Sequence, residues 1–277
     1  MCKLKSGIIL KDSVFVPNYD SHTDMLEELK IKDTRKNAER LFVRAEFYPK
    51  ENIFSDVNKW IYHVDQDILP EWYVEEVDKD RFIKAVKEWH KKHVLVGVDG
   101  ITLSGGDTYY IKDCKNVVVK NDSTVEAYGN STVKACNNST VEAYDNSTVK
   151  AYGNSTVEAY DNSTVEAYDN STVKAYDNST VEAYGNSTVK ACNNSTVKAY
   201  GNSTVKAFNN STVKACNNST VKAYDNSTVE AYDNSTVVIS LFSNNRKDNI
   251  KLSDNATLKD CKTKTIYQSG NWKFEKV

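Results

Sequence analysis

Ser-Thr-Val occurs fifteen times between residues 123 and 237, every eight residues and without an insertion. The unit reads S-T-V-[E/K]-A-[Y/C/F]-[D/G/N]-[N/D]. A strict repeat of this kind predicts an architecture in which each unit packs on its neighbours. Eight is a poor helical period, but it is even. In a strand, side chains alternate faces every second residue, so an even repeat returns each position to the same face in every copy. One set is Ser, Val, Ala and the turn residue; the other is Thr, Glu/Lys, Tyr and Asn. Burying the second set would bury a column of charges without partners. Ser, Val and Ala are therefore expected inside, with Thr, charge and Tyr outside. Asp-Asn, Gly-Asn and Asn-Asn are turn formers that tolerate left-handed backbone. Six strand residues plus a two-residue corner predict a parallel β-solenoid.

The small inner residues require a thin interior. That favours two octads per coil, 16 residues, over a triangular coil of three. At ~4.8 Å per coil, the fifteen octads then span roughly 36 Å. The Glu/Lys column does not decide between them. Cys192 and Cys216 are three octads apart, so direct stacking of this pair is expected only in the larger coil. Degenerate units at 107–114 and 115–122 extend the phase upstream. Downstream it breaks after Val237 and resumes loosely at Ile250, Leu258 and Ile266.

The octad resembles the A-G-Y-G-S-T-x-T repeat of bacterial ice-nucleation proteins, as in Ala151-Tyr152-Gly153-Asn154-Ser155-Thr156-Val157. That resemblance implies 16-residue coils with a Tyr ladder. Ice binding in that family relies on paired Thr ladders. Here the outward neighbour of Thr is charged, as Lys150 is to Thr148, so ice or surface binding by the Thr column is only a third option.

Residues 1–98 are expected to form a small α+β domain, 99–240 the solenoid, and 241–277 degenerate coils with a C-terminal cap. In the first domain, Ile8–Leu10 and Val14–Val16 predict a hairpin. Ser21 with Asp24 predicts a helix through Lys30. Strands are expected at 40–48 and 59–64. Asp78 is expected to cap a helix to about His93 that buries Phe82, Ile83, Val86 and Trp89. Residues 94–106 are expected to join the domain to the first coil. The runs Asp20-Ser21-His22, Phe42-Val43-Arg44, Val64 through Trp72 and Lys87-Glu88-Trp89 resemble the N-terminal region of uncharacterised proteins of gut bacteria and their phages. That resemblance implies a phage or prophage context and no particular chemistry.

Composition excludes several classes. No apolar run approaches the ~18–20 residues of a membrane span. The start has no secretory signal, and Cys2 follows no lipobox. A net charge of -2 argues against a nucleic-acid partner. The six cysteines show no zinc-ligand spacing and read as reduced thiols of a cytoplasmic protein. The repeated Asn-Ser-Thr is then an incidental sequon, better read as corner amide ladders. The corners lack the calcium pattern of β-rolls, and neither a metal nor another cofactor is expected.

The strongest functional signal is one aromatic position, filled by Tyr128, Tyr144, Tyr152, Tyr160, Tyr168, Tyr176, Tyr184, Tyr200, Tyr224 and Tyr232. Cys136, Cys192, Phe208 and Cys216 fill its gaps. Stacked rings would stabilise adjacent coils, and an exposed aromatic stripe would also suit protein recognition. The leading expectation is a non-enzymatic binding scaffold with a protein partner, self-associating as a homodimer. One specialisation is a phage-encoded inhibitor of a host protein. The alternative is an enzyme using His63, Asp65 and Asp67, with His22 as a possible partner. A solvated strand end turning into Leu69-Pro70 is the better reading of the first three. His90 and His93 are expected on a solvated, basic helix C-terminus.

Overall fold

The computed structural model describes residues 4–239 and 249–269 and the short strand Glu275–Lys276. Cys2, and part of the expected C-terminal cap, lie outside the described residues. The chain divides into two compact units, Met1–Leu95 and Val96–Val277.

The first unit is an antiparallel sheet with helices. Strands β1 (Ser6–Leu10) and β2 (Val14–Phe15) form the expected hairpin. Strands β3 (Phe42–Tyr48) and β4 (Ile61–Val64) complete the order β2-β1-β3-β4. Alternation along β1 divides its neighbours. Ile8 joins Met25, Leu26, Ala38 and Phe42 in one buried cluster. Gly7 instead faces Phe82, where a Cβ would fall 2.7 Å from the ring. Helix α1 (His22–Glu28) starts where expected, with Ser21 Oγ accepting the Asp24 N–H, but ends two residues early. A short helix α2 (Arg35–Ala38), capped by Thr34, was not anticipated. Helix α3 (Glu75–His93) begins ahead of Asp78. Asp78 still serves the helix start, reaching back to accept the Val74 N–H at 2.8 Å.

Two expectations for this helix end differ from what is observed. His93 is buried, its ring stacked on Trp89 at 5.1 Å and its Nδ1 2.8 Å from the Trp89 carbonyl. His90 is half-buried against Trp60, and burial lowers its pKa. The aromatic core claims this turn, and the adjacent lysines did not reveal that.

The second unit is a parallel β-solenoid of about 9 turns with about 16 residues per turn. Strands alternate between two sheets. The first sheet contains Thr124–Tyr128 and every second strand thereafter; the second contains Thr132–Ala135 and its successors. Within each sheet the register step is 16, as in Val141↔Val157 and Val149↔Val165. Cys192 and Cys216 therefore follow strands of different sheets and do not stack.

Each octad forms a shorter strand than expected: four residues, Thr to Ala, in nearly every copy. The remaining Tyr-x-Asn-Ser is a β-turn in which the Ser N–H returns to the Tyr carbonyl, 3.2 Å for Ser147 and Tyr144. The residue after Tyr has φ between 46° and 67° from Gly129 to Asp233. That is the left-handed region, which primed turns require at their first central position. Only Gly, Asn and Asp occupy it, the three residues that tolerate it best. This turn residue is not in the interior, contrary to the alternation expected from period two, because the chain has already left the strand.

Ser, Val and Ala do fill the interior, fully buried in nearly every coil. Most of the Ser hydroxyls are satisfied at the corner, whereas buried Ser219 Oγ finds no partner. Ser163 Oγ donates to the carbonyls of Tyr160 (2.6 Å) and, in the preceding coil of the other sheet, Ala143 (2.9 Å). A hydroxyl buried in so thin a core thus costs little, because its partners are backbone groups the corner already presents.

Residues from 96 onward already belong to the first turn rather than to a linker: Gly97 N–H bonds Lys112 O, and Asp99 bridges Lys115. Ile250 and Leu258 resume coil positions opposite Val229 and Val237, after a step of 21 residues. Ile266 does not, because Thr265–Gln268 runs antiparallel to Thr257–Asp260 and ends the parallel series. Among the described residues, no helix is long and apolar enough to cross a membrane.

Candidate functional site

The solenoid surface is built from three outward positions of the octad. Thr and Glu/Lys stand on the strand, and the aromatic residue stands where the strand enters the corner. Successive copies lie one coil apart, so each position becomes a column.

The ten tyrosines divide between two ladders. The first sheet carries Tyr128, Tyr144, Tyr160, Tyr176, then Cys192, Phe208 and Tyr224. The second carries Cys136, Tyr152, Tyr168, Tyr184, Tyr200, Cys216 and Tyr232. In each, four rings stack continuously. Centroids are 4.8 Å apart for Tyr128–Tyr144 and 5.1 Å for Tyr184–Tyr200, with planes within 11° of parallel. Phe208 and Tyr224 stack at 4.5 Å beyond Cys192.

The rings are half-buried rather than openly exposed, since neighbouring rings cover the faces within each stack. What reaches solvent is an edge and a hydroxyl. Where the residue two places earlier is Glu, the hydroxyl donates to it: Tyr144 to Glu142 at 2.6 Å, Tyr168 to Glu166 at 2.6 Å. The Glu166 hydrogen bond, then burial, pushes Tyr168 up to about 12. Burial, then the Glu142 bond, raises Tyr144. These phenols stay protonated at neutral pH and act as fixed donors.

The charged column differs between the sheets. On the second it reads Lys134, Lys150, Glu166, Glu182, Lys198, Lys214, Glu230 and Lys251. Adjacent coils pair there: Lys150–Glu166 at 3.0 Å, Lys198–Glu182 at 2.9 Å and Lys251–Glu230 at 3.4 Å. Lys214 lies over the Tyr232 ring, 5.0 Å from its centroid. On the first sheet the column reads Glu126, Glu142, Glu158, Lys174, Lys190, Lys206 and Lys222. Its acids and bases form two blocks that meet at the Lys174–Glu158 pair, 2.7 Å. Eight-residue spacing alone concealed this, because it interleaves the two columns.

The expected Asn ladders occur, with long contacts of 3.5 Å between Asn186 and Asn170 and 3.2 Å between Asn209 and Asn193. At other corners an Asp carboxylate accepts the N–H one coil below, as Asp145 does from Gly129 at 2.8 Å.

In the first unit the candidate catalytic residues separate into pairs. Asp65 Oδ2 lies 3.3 Å from Nδ1 of buried His22, whose Nε2 is 3.3 Å from the Ala45 carbonyl. His63 is cross-strand to Glu46, with Nδ1 3.7 Å from its carboxylate. Asp67 is exposed farther along the chain. The anticipated His22 partnership is thus with Asp65 alone. Among the described residues, no three His, Cys, Asp or Glu side chains are grouped to hold a metal ion.

Sequence reasoning missed Lys5. It is fully buried, donates to Asp20 Oδ1 at 2.6 Å and to the Tyr19 carbonyl at 2.9 Å, and lies 4.9 Å from the centroid of the Trp89 ring. Burial lowers its pKa, against the opposing pull of Asp20. A lone Lys near the chain start carries no signal for this. In comparisons with known proteins, no family model, curated protein or solved structure matches the chain.

Proposed function

We propose that this chain is a non-enzymatic binding scaffold that presents rigid β-solenoid faces to a protein partner and self-associates. One observation carries the reading. Outward Thr, a charged residue and, in most copies, Tyr recur in strict register every 16 residues on two sheets. Repetition of this kind makes an extended surface of low conformational entropy, suited to recognition over area rather than to a convergent reaction centre. The Tyr hydroxyls, held by Glu, add fixed polar points along it.

The resemblance of residues 1–93 to proteins of gut bacteria and their phages suggests the setting. The partner there is a host protein, and the effect is its inhibition. The competing enzyme reading would need His63, Asp65 and Asp67 to act together. The first two of these engage separate partners, Glu46 and His22, which better suits packing roles.

Capture with the full tagged chain tests the reading. The expected result is a stoichiometric partner that is retained by H63A/D65A/D67A and lost when the outward Glu/Lys and Tyr columns are replaced by Ser. A catalytic turnover abolished by the triple alanine variant would reverse the conclusion.

A further inference from the structure

Like charges stacked on adjacent strands oppose folding. The first sheet carries three such acids in succession and then four bases, one per coil. Neutralising charges lie within the column only at its centre, where Lys174 meets Glu158. At the end of the acidic block burial raises the Glu126 carboxyl, the Tyr128 hydrogen bond offsets part of this, and the charge of Glu142 adds a smaller upward push. Lys190 finds a neighbouring ring, Phe208, at 5.6 Å. The second sheet is less burdened: Lys134–Lys150, Glu166–Glu182 and Lys198–Lys214 are like neighbours, but three opposite pairs lie within the column and Lys134 and Lys214 sit over Tyr rings.

We propose that the first sheet is the homodimer interface, and that its charge blocks set two copies antiparallel, face to face. This rests on the self-association proposed above and names its surface and geometry. A two-fold axis lying in the interface along the strand direction reverses the solenoid axis but keeps each column opposite itself. Thr then faces Thr, and the Tyr ladder faces the Tyr ladder. With the axis between the coils of Glu158 and Lys174, Glu158 meets Lys174 of the second copy. Glu142 meets Lys190, and Glu126 meets Lys206. Symmetry doubles these to six pairs, all of opposite sign. A parallel arrangement sets Glu on Glu and Lys on Lys.

The second sheet also has a register in which reversal gives opposite pairs. There one chain already holds three opposite pairs, so the dimer gains less, and Lys134 would meet Lys251. The first sheet gains six pairs where one chain alone offers one. Seven coils of ~4.8 Å by four residues of ~3.4 Å give about 460 Å² per copy. The total of about 900 Å² lies just under the ~1,000 Å² expected of a specific stable interface, so a weak, salt-sensitive dimer is expected.

The test has three arms on the full chain. Light scattering on the wild type across concentration and salt should show a dimer that weakens as ionic strength rises. K190E/K206E and E126K/E142K should each raise the dimer Kd at least about tenfold, since four of six pairs become repulsive. Mixing the two variants should restore association. Glu and Lys both occupy this column naturally, so folding is expected to survive, and the mixing arm reports independently of stability. Zero-length carbodiimide coupling of mixed isotope-labelled wild type should join Glu142 to Lys190 between chains. Within one chain these lie three coils, ~14 Å, apart and cannot couple. A wild type that stays monomeric overturns this inference and the self-association beneath it. A dimer that persists in both swapped variants, or that couples Glu only to residues of the second sheet, overturns this inference alone.

Discussion

The two units solve burial in opposite ways. In the first, nearly every core contact is unique: Phe47 on Trp60, Tyr62 on Phe82, Trp89 on His93, and a buried ammonium, Lys5, held by Asp20. In the second, Val, Ala and Ser recur in a thin core, and the octads from Ser123 onward put no aromatic inside it, although Tyr109 is buried in an earlier coil. The rings move to the corners and stack there. The first unit concentrates its energy in a few irreplaceable groups, whereas the solenoid divides it into nearly equal instalments along one axis.

The sharpest way to break this contrast is the buried ion pair. Asp20→Ala leaves the Lys5 charge without its carboxylate in the interior, and should cost about 3–5 kcal/mol in a denaturant melt of the first unit. A loss under about 1 kcal/mol would mean that Lys5 is neutral or reaches solvent. In the solenoid, Val165→Ala, Val181→Ala and Val197→Ala should each cost about 2 kcal/mol. Because the sites are equivalent, the three melts should agree within about 0.5 kcal/mol. Unequal costs would show that coils are energetically distinct.

Ring stacking comes next. Tyr168→Ala removes contacts with both Tyr152 and Tyr184, and should cost about 1–3 kcal/mol. Tyr176→Ala removes the one stack with Tyr160, since Cys192 follows it, and should cost about half as much. Equal losses would show that the ladder does not stabilise by stacking.

Acid titration should produce the smallest effect. Glu158 is held below its ordinary value of 4.5 by Lys174 and then Tyr160, Glu166 by Tyr168 and then Lys150, and Glu182 by Lys198 and then Tyr184. A depressed carboxyl stabilises the folded state fully above its unfolded value, and that contribution is lost as pH falls through the folded one. The solenoid Tm should therefore decline modestly below pH 4.5. Glu126, raised by burial, works in the opposite sense, because protonation relieves it. Alanine at Glu166 should blunt the decline by at most about 1 kcal/mol, as befits a partly exposed pair.

Legibility followed the same divide. The interior Val and Ala, the left-handed corners and the two-octad coil could be read from the repeat, because period, side-chain size and turn chemistry agree. The four-residue strand could not, since alternation alone does not show where the chain leaves the sheet. In the first unit, the strands and helices α1 and α3 were legible from local pattern, but the Thr34-capped α2 and the start of α3 ahead of Asp78 were not. The burial of His93 beside Lys91 and Lys92 was not, because it depends on Trp89 and its distant surroundings. The pairing of His22 with Asp65 likewise spans elements that no local rule connects.

The sequence by itself determined that the second unit is a solenoid with Ser, Val and Ala inside, since no other arrangement of an eight-residue period avoids burying a charged column. Only the tertiary structure decided which charges are neighbours. Coil closure sorts alternate octads onto opposite sheets, so a column that looks mixed along the chain becomes paired on one face and split into acid and base blocks on the other. Electrostatic neighbours are set by distance in space, and the coil makes residues 16 apart closer than residues eight apart.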